Sequence, residues 1–496
     1  MDLLDRLDQL RSTRAVILSL LPVFILLHLP TSFNGNEYDL FVYCLRKLAP
    51  ELFSQYSAKF DSANGRVLSE YLIGFPVLWF GYETAHTILR LMMAVAYAAS
   101  VGFFLSGMRL SVLDSFLVLA IFLVTGPDIL GKEWLFGGVE TKTFAYAMIF
   151  TALGLAVRGR LTPAVGAAVL ATYFHFLVGG FWAVALIAYD AIRDRSYRRT
   201  VRLLLGYAVL VSPLAAVITY QQLGSSSLAH EPNASFIYSI FRGAHHVAPF
   251  SSKMQLTNWA PGIVALIALS LSFLFLAQSA AARSRPLILW VAGLLCYLVV
   301  ALGLSALDAH TGYLGKFYLF RPSSLTLFCA IVALLGLLND LRDGTGIKDG
   351  LRKAAFFFVV PIAIFVVLSE KVPDTSAVRR AISDDIARMN AFIVKTTAPG
   401  DIVLVQPGGE YYFPKVALPM LLDRPTLVSF KFVPTNTRDI YRWYDLLQYR
   451  DRVFDEGCKD ISRYPVRYLL MTQSPEMKIP CGKVVWRSDY FALVEP

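Results

Sequence analysis

Charge is scarce in this chain. Of 496 residues, 17% are Asp, Glu, Lys or Arg and 56% are hydrophobic, with a mean hydropathy of +0.54. This excludes an ordinary soluble protein, which spends about a quarter of its residues on charge. Cysteine is scarce too. Only five are present and none forms a C-x-x-C pair, which argues against thiolate zinc sites. The histidine-bearing pairs His230-Glu231 and His245-His246 could touch a divalent metal, but their spacing matches no strong metal motif. No metal is therefore required by any ligand set, and the cofactor stays unassigned. There is no internal repeat and no low-complexity tract. No basic stripe with interleaved aromatics stands on a soluble face, so the net charge of +10 is not a nucleic-acid footprint.

What is abundant is long apolar runs. A helix needs ~20 residues to cross a bilayer. Runs of that kind cover residues 16–30, 85–107, 112–125, 143–157, 161–189, 201–220, 261–277, 287–304, 317–338 and 354–368. The first follows a charged tail and lacks a small-x-small cleavage site, so it reads as a retained anchor. Lys and Arg in short loops stay cytoplasmic. With the N-terminus inside, alternation places 17 basic residues inside, among them Arg6, Arg109, Arg158, Arg193, Arg199, Arg283 and Arg342. One condition is needed: run 161–189 must go in and come back, breaking at residues 175–180 (His-Phe-Leu-Val-Gly-Gly). Broken helices are tolerated where they line a protein-covered cavity. Outside then lie 31–84, 126–142, 221–260, 305–316 and everything from Glu370 on.

The chain accordingly divides into a multi-span membrane unit, 1–369, and an extracytoplasmic unit, 370–496. The second carries 18 basic and 16 acidic residues, so most of the net charge belongs to the membrane part. It reads as a small α/β domain, with helical spacing over 376–395 and 436–454 and short strands at 401–406, 426–430, 467–471, 483–486 and 491–494. Cys458 and Cys481 both fall there, where an oxidising compartment allows a disulfide. Cys296 and Cys329 lie in apolar spans and read as small core residues. Cys44 stands alone on the first outer loop.

Residues able to do chemistry cluster at the outer ends of the spans. Glu37 and Asp39 follow the first span within Asn34-Gly35-Asn36-Glu37-Tyr38-Asp39. Two residues apart, only one can point into a given cavity, where it could act as a general base. The plainer reading is an acidic helix start capped by Asn36. Glu133 and Glu140 share a loop with Lys132, Trp134 and Lys142. They could position a phosphate and an attacking group, or form a local ion pair. His175 sits in the break of the split run and can equally be a hydrogen-bonded core residue. His310, Lys316 and Arg321 lie in the segment 308–322. Lys316 fits the interfacial belt of a bilayer. Arg321, followed by Pro322, fits a guanidinium fork on phosphate oxygens.

This layout resembles the GT-C superfamily of integral-membrane glycosyltransferases. The resemblance rests on an acid in the first outer loop (Glu37, Asp39), a second acidic loop between the third and fourth spans (Glu133, Glu140), a late cation (Lys316, Arg321) and a soluble C-terminal domain. The tail segment 422–431 (Leu-Asp-Arg-Pro-Thr-Leu-Val-Ser-Phe-Lys), with Tyr441-Arg442-Trp443-Tyr444, looks like the end of a bacterial branch of it. The chain departs from the pattern in lacking an adjacent Asp-Asp or Asp-Glu pair in the first loop, and it has no Trp-Trp-Asp motif of oligosaccharyltransferases.

The resemblance implies a polytopic α-helical fold and an inverting transfer of sugar from a polyprenyl-phosphate carrier to a glycan, lipid or protein acceptor. It implies Glu37 or Asp39, with Glu140, as catalytic groups. Glu133, Lys142, His175, His310, Lys316 and Arg321 would bind substrate. The expected setting is a bacterial inner membrane, with the N-terminus cytoplasmic and the partners being membrane lipids and no nucleic acid. The rival reading is a transporter or flippase of a lipid-linked saccharide, for which paired repeats and midplane charges would be needed.

Overall fold

The structure is a computed structural model. It describes residues 3–29, 33, 35–53, 65–223, 230–279, 284–340, 346–371, 377–408, 424–430, 433–473 and 477–496. Asn34, Arg283, Arg342, Leu422, Asp423 and Lys431, named above, lie outside them. The membrane part is a helical bundle: α1 Leu3–Gln9, α2 Thr13–His28, α3 Gly35–Leu48, α4 Val67–Gly107, α5 Val112–Thr125, α6 Thr141–Val157, α7 Leu161–Phe174, α8 Phe176–Asp194 and α9 Tyr197–Leu223. The short turns α10 Ala234–Phe236 and α11 Ala244–Val247 follow, then α12 Lys253–Ser279, α13 Arg285–Leu307, α14 Ser323–Asp340 and α15 Gly346–Lys371. Among the described residues, five helices (α4, α8, α9, α12 and α13) are long and apolar enough to cross a membrane, and several shorter apolar helices stand among them. α9 and α12 turn most of their apolar side chains outward, with Leu205, Val209, Val264 and Phe275 well exposed. On a water-soluble protein so large an apolar surface would be a liability; in a bilayer it faces acyl chains.

Two local features decide where the ends of these helices lie. The first is the split run. α7 ends at Phe174, His175 is extended (φ −156°, ψ 105°), and α8 starts at Phe176. Arg193, at the far end of α8, donates to the Ala156 carbonyl at the end of α6 (3.1 Å), so the chain has returned to the side it left. The second is Gly81, whose φ of 74° breaks α4 into an outer piece and the apolar span. A residue with a Cβ is strained in that region. The helix thus begins well before the expected residue 85, and its outer piece exposes Tyr71, Phe75, Trp79 and Phe80. The expected span 317–338 begins late. Residues 315–317 form a 3-10 turn and Tyr318 is left-handed (φ 48°), because Pro322 lacks the N–H a continuing helix would use, and α14 starts only at Ser323.

The regions that charge placed together do meet. At one end Arg158 donates to the Phe103 carbonyl (2.7 Å) and to Ser106 (2.8 Å). At the other, His246 bonds the Gly131 carbonyl (2.6 Å), Ser239 donates to the Gly312 carbonyl (2.9 Å), and the Ser323 hydroxyl accepts from the amides of Ile129 (2.9 Å) and Leu130 (2.7 Å).

The C-terminal part is a four-stranded sheet in the order β1-β2-β4-β3: β1 Ile402–Val405, β2 Val466–Thr472, β3 Lys483–Arg487 and β4 Phe491–Glu495. β1 runs parallel to β2, and the other pairings are antiparallel. Alternate side chains point to opposite faces. Ile402, Leu404, Leu469 and Met471 pack with α17 (Thr437–Asp455), while Val403, Val405, Tyr468 and Leu470 pack with α16 (Ala377–Thr396). The expected strand at 426–430 is not a strand. Its carbonyls are taken by side chains instead of a ladder: Trp443 donates to Ser429 O (2.8 Å) and Arg242 to Phe430 O (2.8 Å). Cys458 and Cys481 are disulfide-bonded.

The turn between α7 and α8 leaves no room for a side chain at Gly179, where an added Cβ would lie 2.1 Å from the Thr172 amide nitrogen. Gly179→Ala is expected to lower stability by at least ~1–3 kcal/mol through overpacking against backbone. Thermal unfolding of the detergent-solubilised protein checks this, with Gly166→Ala, in open space, as the neutral comparison.

Candidate active site at the mouth of the bundle

Glu37 sits in the first turn of α3 and is completely buried. One oxygen accepts from Arg90 Nη2 (2.7 Å) and lies 3.1 Å from His86 Nε2; the other accepts from the Val139 amide (2.7 Å). His86 and Arg90 are one turn apart on α4, so they share a face. Arg90 also donates to the Gly137 carbonyl (2.7 Å). Burial pushes the Glu37 carboxyl up, but the bond to His86 and the charge of Arg90 outweigh it, and its pKa lies below the usual value. Glu37 is one of two sequence candidates for a general base facing a cavity; here both of its oxygens are engaged within the protein. The carboxylate is spent on fastening the first outer helix to α4 and to the loop 126–140. Asp39, two residues on, is half-buried on another face of α3. Asn36 does not cap the helix, which starts at Gly35; its amide donates to Glu140 Oε1.

From Glu140 a chain of charges runs across the mouth. Lys142 Nζ lies 3.7 Å from Glu140 Oε2 and donates to Glu133 Oε2 at 3.1 Å. The second oxygen of Glu133 faces Arg321 Nε at 3.4 Å, and Arg321 Nη1 donates to His175 Nε2 at 2.7 Å. Five expected site residues, Glu133, Glu140, Lys142, His175 and Arg321, therefore meet in one network contributed by the 126–140 loop, α6, the α7–α8 break and the entry to α14. The cations are backed by rings: Lys142 lies 4.3 Å from the Trp134 ring centre, and the Arg321 guanidinium 4.2 Å from that of Tyr318. Burial would raise the Glu133 carboxyl, but Lys142 and Arg321 hold it down to about 2.

Lys316 and His310 stand apart. Lys316 is half-buried in the 3-10 turn, where burial lowers its pKa, and His310 is exposed in the turn that Asp308 organises by accepting from the amides of Tyr313 and Leu314. None of the bonds just described involves either. His230 leaves the membrane unit for α17, bonding Asp445 at 3.0 Å, while His246 stays on the 126–140 loop. Among the described residues, no three His, Cys, Asp or Glu are grouped so as to hold a metal.

Three participants were missed. His86 and Arg90 were passed over inside an apolar span, although an ionisable residue there signals function or a buried partner. Asp128 is the third. It is half-buried, its Oδ2 accepts from the Glu133 amide (2.9 Å), and burial together with the Glu133 charge pushes its pKa up to about 6. No spacing signal announces it.

Arg321 also lines a narrow crevice walled by Leu177, Phe181, Trp182, Tyr297, Phe317 and Tyr318. Its buried Nε makes no hydrogen bond and is engaged by the ion pair with Glu133. The site thus offers a donor at the end of an apolar, ring-lined slot, with a second cation, Lys142, linked to it through Glu133.

The Glu133 carboxylate should govern acid stability. Its folded pKa of about 2 lies below the ordinary 4.5, so its contribution is complete above pH 4.5 and is lost as pH falls from there toward 2. Melting curves over this range should show the wild type losing stability on acidification and Glu133→Gln losing less. Arg90→Ala, which strands Glu37 without its guanidinium, is expected to cost about 3–5 kcal/mol, and the double variant Arg90→Ala/Glu37→Gln less than the sum of the two.

No family model matches the chain, and no curated protein matches its sequence. Among solved structures, it is similar to the crystal structure of ArnT from Cupriavidus metallidurans bound to undecaprenyl phosphate, with a TM-score of 0.53 at 12% identity, covering 97% of this chain and 97% of that one. The likeness spans the bundle and the C-terminal sheet domain alike: this chain is an integral membrane protein that shares the fold of that structure.

Proposed function

We propose that the protein transfers a sugar from a polyprenyl-phosphate carrier to an acceptor hydroxyl at the extracytoplasmic face of a bacterial inner membrane, with inversion at the sugar carbon. The observation that carries this reading is the place of Arg321, a largely buried guanidinium that is held by Glu133 and His175 and lines an aromatic crevice. Such a group suits a phosphate oxygen, and the rings suit a prenyl chain. The crevice holds only about 30 Å³ as it stands, so its rings must swing aside to admit the chain. The structure bound to undecaprenyl phosphate, to which this fold is similar, supports the same class of ligand.

In this reading the N-terminus is cytoplasmic and residues 370–496 lie outside. Arg321 and Lys142 stabilise charge as it develops on the departing phosphate. Glu133 positions both cations, Glu140 steadies Lys142, and Glu37 positions the loop that bears them. The base is Asp128, in place of Glu37: a carboxyl with a pKa of about 6 is poised to accept a proton near neutral pH, whereas Glu37 has one oxygen committed to Arg90 and the other to the Val139 amide. The acceptor oxygen attacks the anomeric carbon from the face opposite the phosphate. The carbon–oxygen bond to phosphate breaks, its electron pair leaves with the phosphate, and the acceptor proton passes to Asp128.

Transfer from a lipid-phosphate sugar by purified protein is the test. Arg321→Gln is expected to reduce turnover by about 10²–10³. Asp128→Asn should reduce it by about 10²–10⁴. In the wild type, turnover should rise with pH through about 6 as Asp128 ionises. Movement of an uncleaved lipid-linked sugar across vesicles, without transfer, would instead establish the transporter reading.

A further inference from the structure

A second pocket lies on the C-terminal domain, away from the bundle mouth. α17 presents Arg438, Tyr441, Arg442, Asp445 and Tyr449 at helical spacing on one face, and Arg463 and Tyr464 close the pocket opposite them. The space amounts to about 400 Å³, within the ~300–1,000 Å³ of small-molecule sites.

The composition of this pocket is specific. Tyr449 is buried, and its hydroxyl donates toward the carbonyls of Asp460 and Ile461 (3.3 Å each), fixing the segment that carries Arg463. Tyr441 is held flat by the His230 ring, stacked at 4.5 Å. Arg438, Arg442 and Arg463 are exposed at the rim, and among the described residues none is paired with a carboxylate. The pocket's one carboxylate, Asp445, is already taken by His230 at 3.0 Å. Three free guanidinium groups around a tyrosine floor suit a ligand with an apolar ring face and negative charge at its edge. Pyranose rings carrying a carboxylate or phosphate have that form: C–H faces lie on aromatic rings while the anion takes forked donors.

We propose that this pocket binds an acidic saccharide, as the anionic part of the acceptor. The word acceptor rests on the transferase reading; the binding does not. The site draws His230 from the membrane unit, so it sits where the 230–252 loop meets the domain. A glycan held there would be bound by both units.

The experiment is a titration of the full-length, detergent-solubilised protein by calorimetry, with no donor present. The probes are tri-galacturonate and glucose 6-phosphate; maltotriose is the neutral control and inorganic phosphate the bare-anion control. At least one acidic sugar is expected to bind saturably and more tightly than both controls. Arg442→Gln and Arg463→Gln should each weaken it about tenfold, the effect of losing one charge-assisted bond. Arg452→Gln, which removes the same charge from α17 about one turn beyond Tyr449 and outside the residues that line the pocket, should leave it unchanged. All these side chains are exposed, so folding is preserved. Absence of binding, equal binding of maltotriose or phosphate, or equal loss in Arg452→Gln would each overturn the proposal. Loss of sugar transfer with saccharide binding intact would count against the transferase reading alone.

Discussion

At the rim of an apolar bundle a carboxylate taken out of water is costly, and only cations held at close range make it tolerable. Glu133 is such a group, wedged between Lys142 and Arg321, residues 179 positions apart in the chain. Its negative charge lets two cations share one small volume that their mutual repulsion would otherwise open. Glu37 likewise holds Arg90, with His86 packed against both. The two clusters are joined by Asn36 and Glu140. The mouth of the bundle is therefore a single electrostatic unit in which each loop is held by a partner from another.

The break at His175 belongs to the same unit. A continuous helix would carry that residue's side chain along an unbroken spiral and could not turn back toward the entry to α14. By ending α7 and restarting as α8, the chain brings an imidazole to Arg321 and leaves the Phe176 amide to donate to the Gly65 carbonyl (2.8 Å). Backbone groups freed at the break are thus satisfied within the protein, which is the condition for irregular structure at such depth.

The C-terminal domain is tied down by similar means. Its segment 424–430 forgoes sheet pairing to accept bonds from Arg242 and Trp443, and Gln222 donates to the Thr435 carbonyl (3.0 Å). Ala234 and Ile237, from the loop, enter the same core as α17. The apolar cores on both faces of the sheet explain why β1 reads as a continuous apolar run instead of an alternating one.

Much of this was legible in order of residues alone. Apolar length was enough to place most of the helices, and the placement of arginines to expect the return at His175, because hydrocarbon thickness and charge asymmetry act on local sequence. The helices and most strands of the tail followed from periodicity. Glu133, Glu140, Lys142, His175 and Arg321 were recognisable as chemistry-bearing residues by type and position. What needed the tertiary structure was their pairing. Nothing in the chain's order says that Glu37 is closed in by Arg90 and a backbone amide, that Asp128 is partly desolvated beside Glu133, or that His310 and Lys316 stand apart from the network. A carboxylate's role depends on which charges lie within a few ångströms of it and how much water remains, and these distances are set by helix packing between segments far apart in sequence.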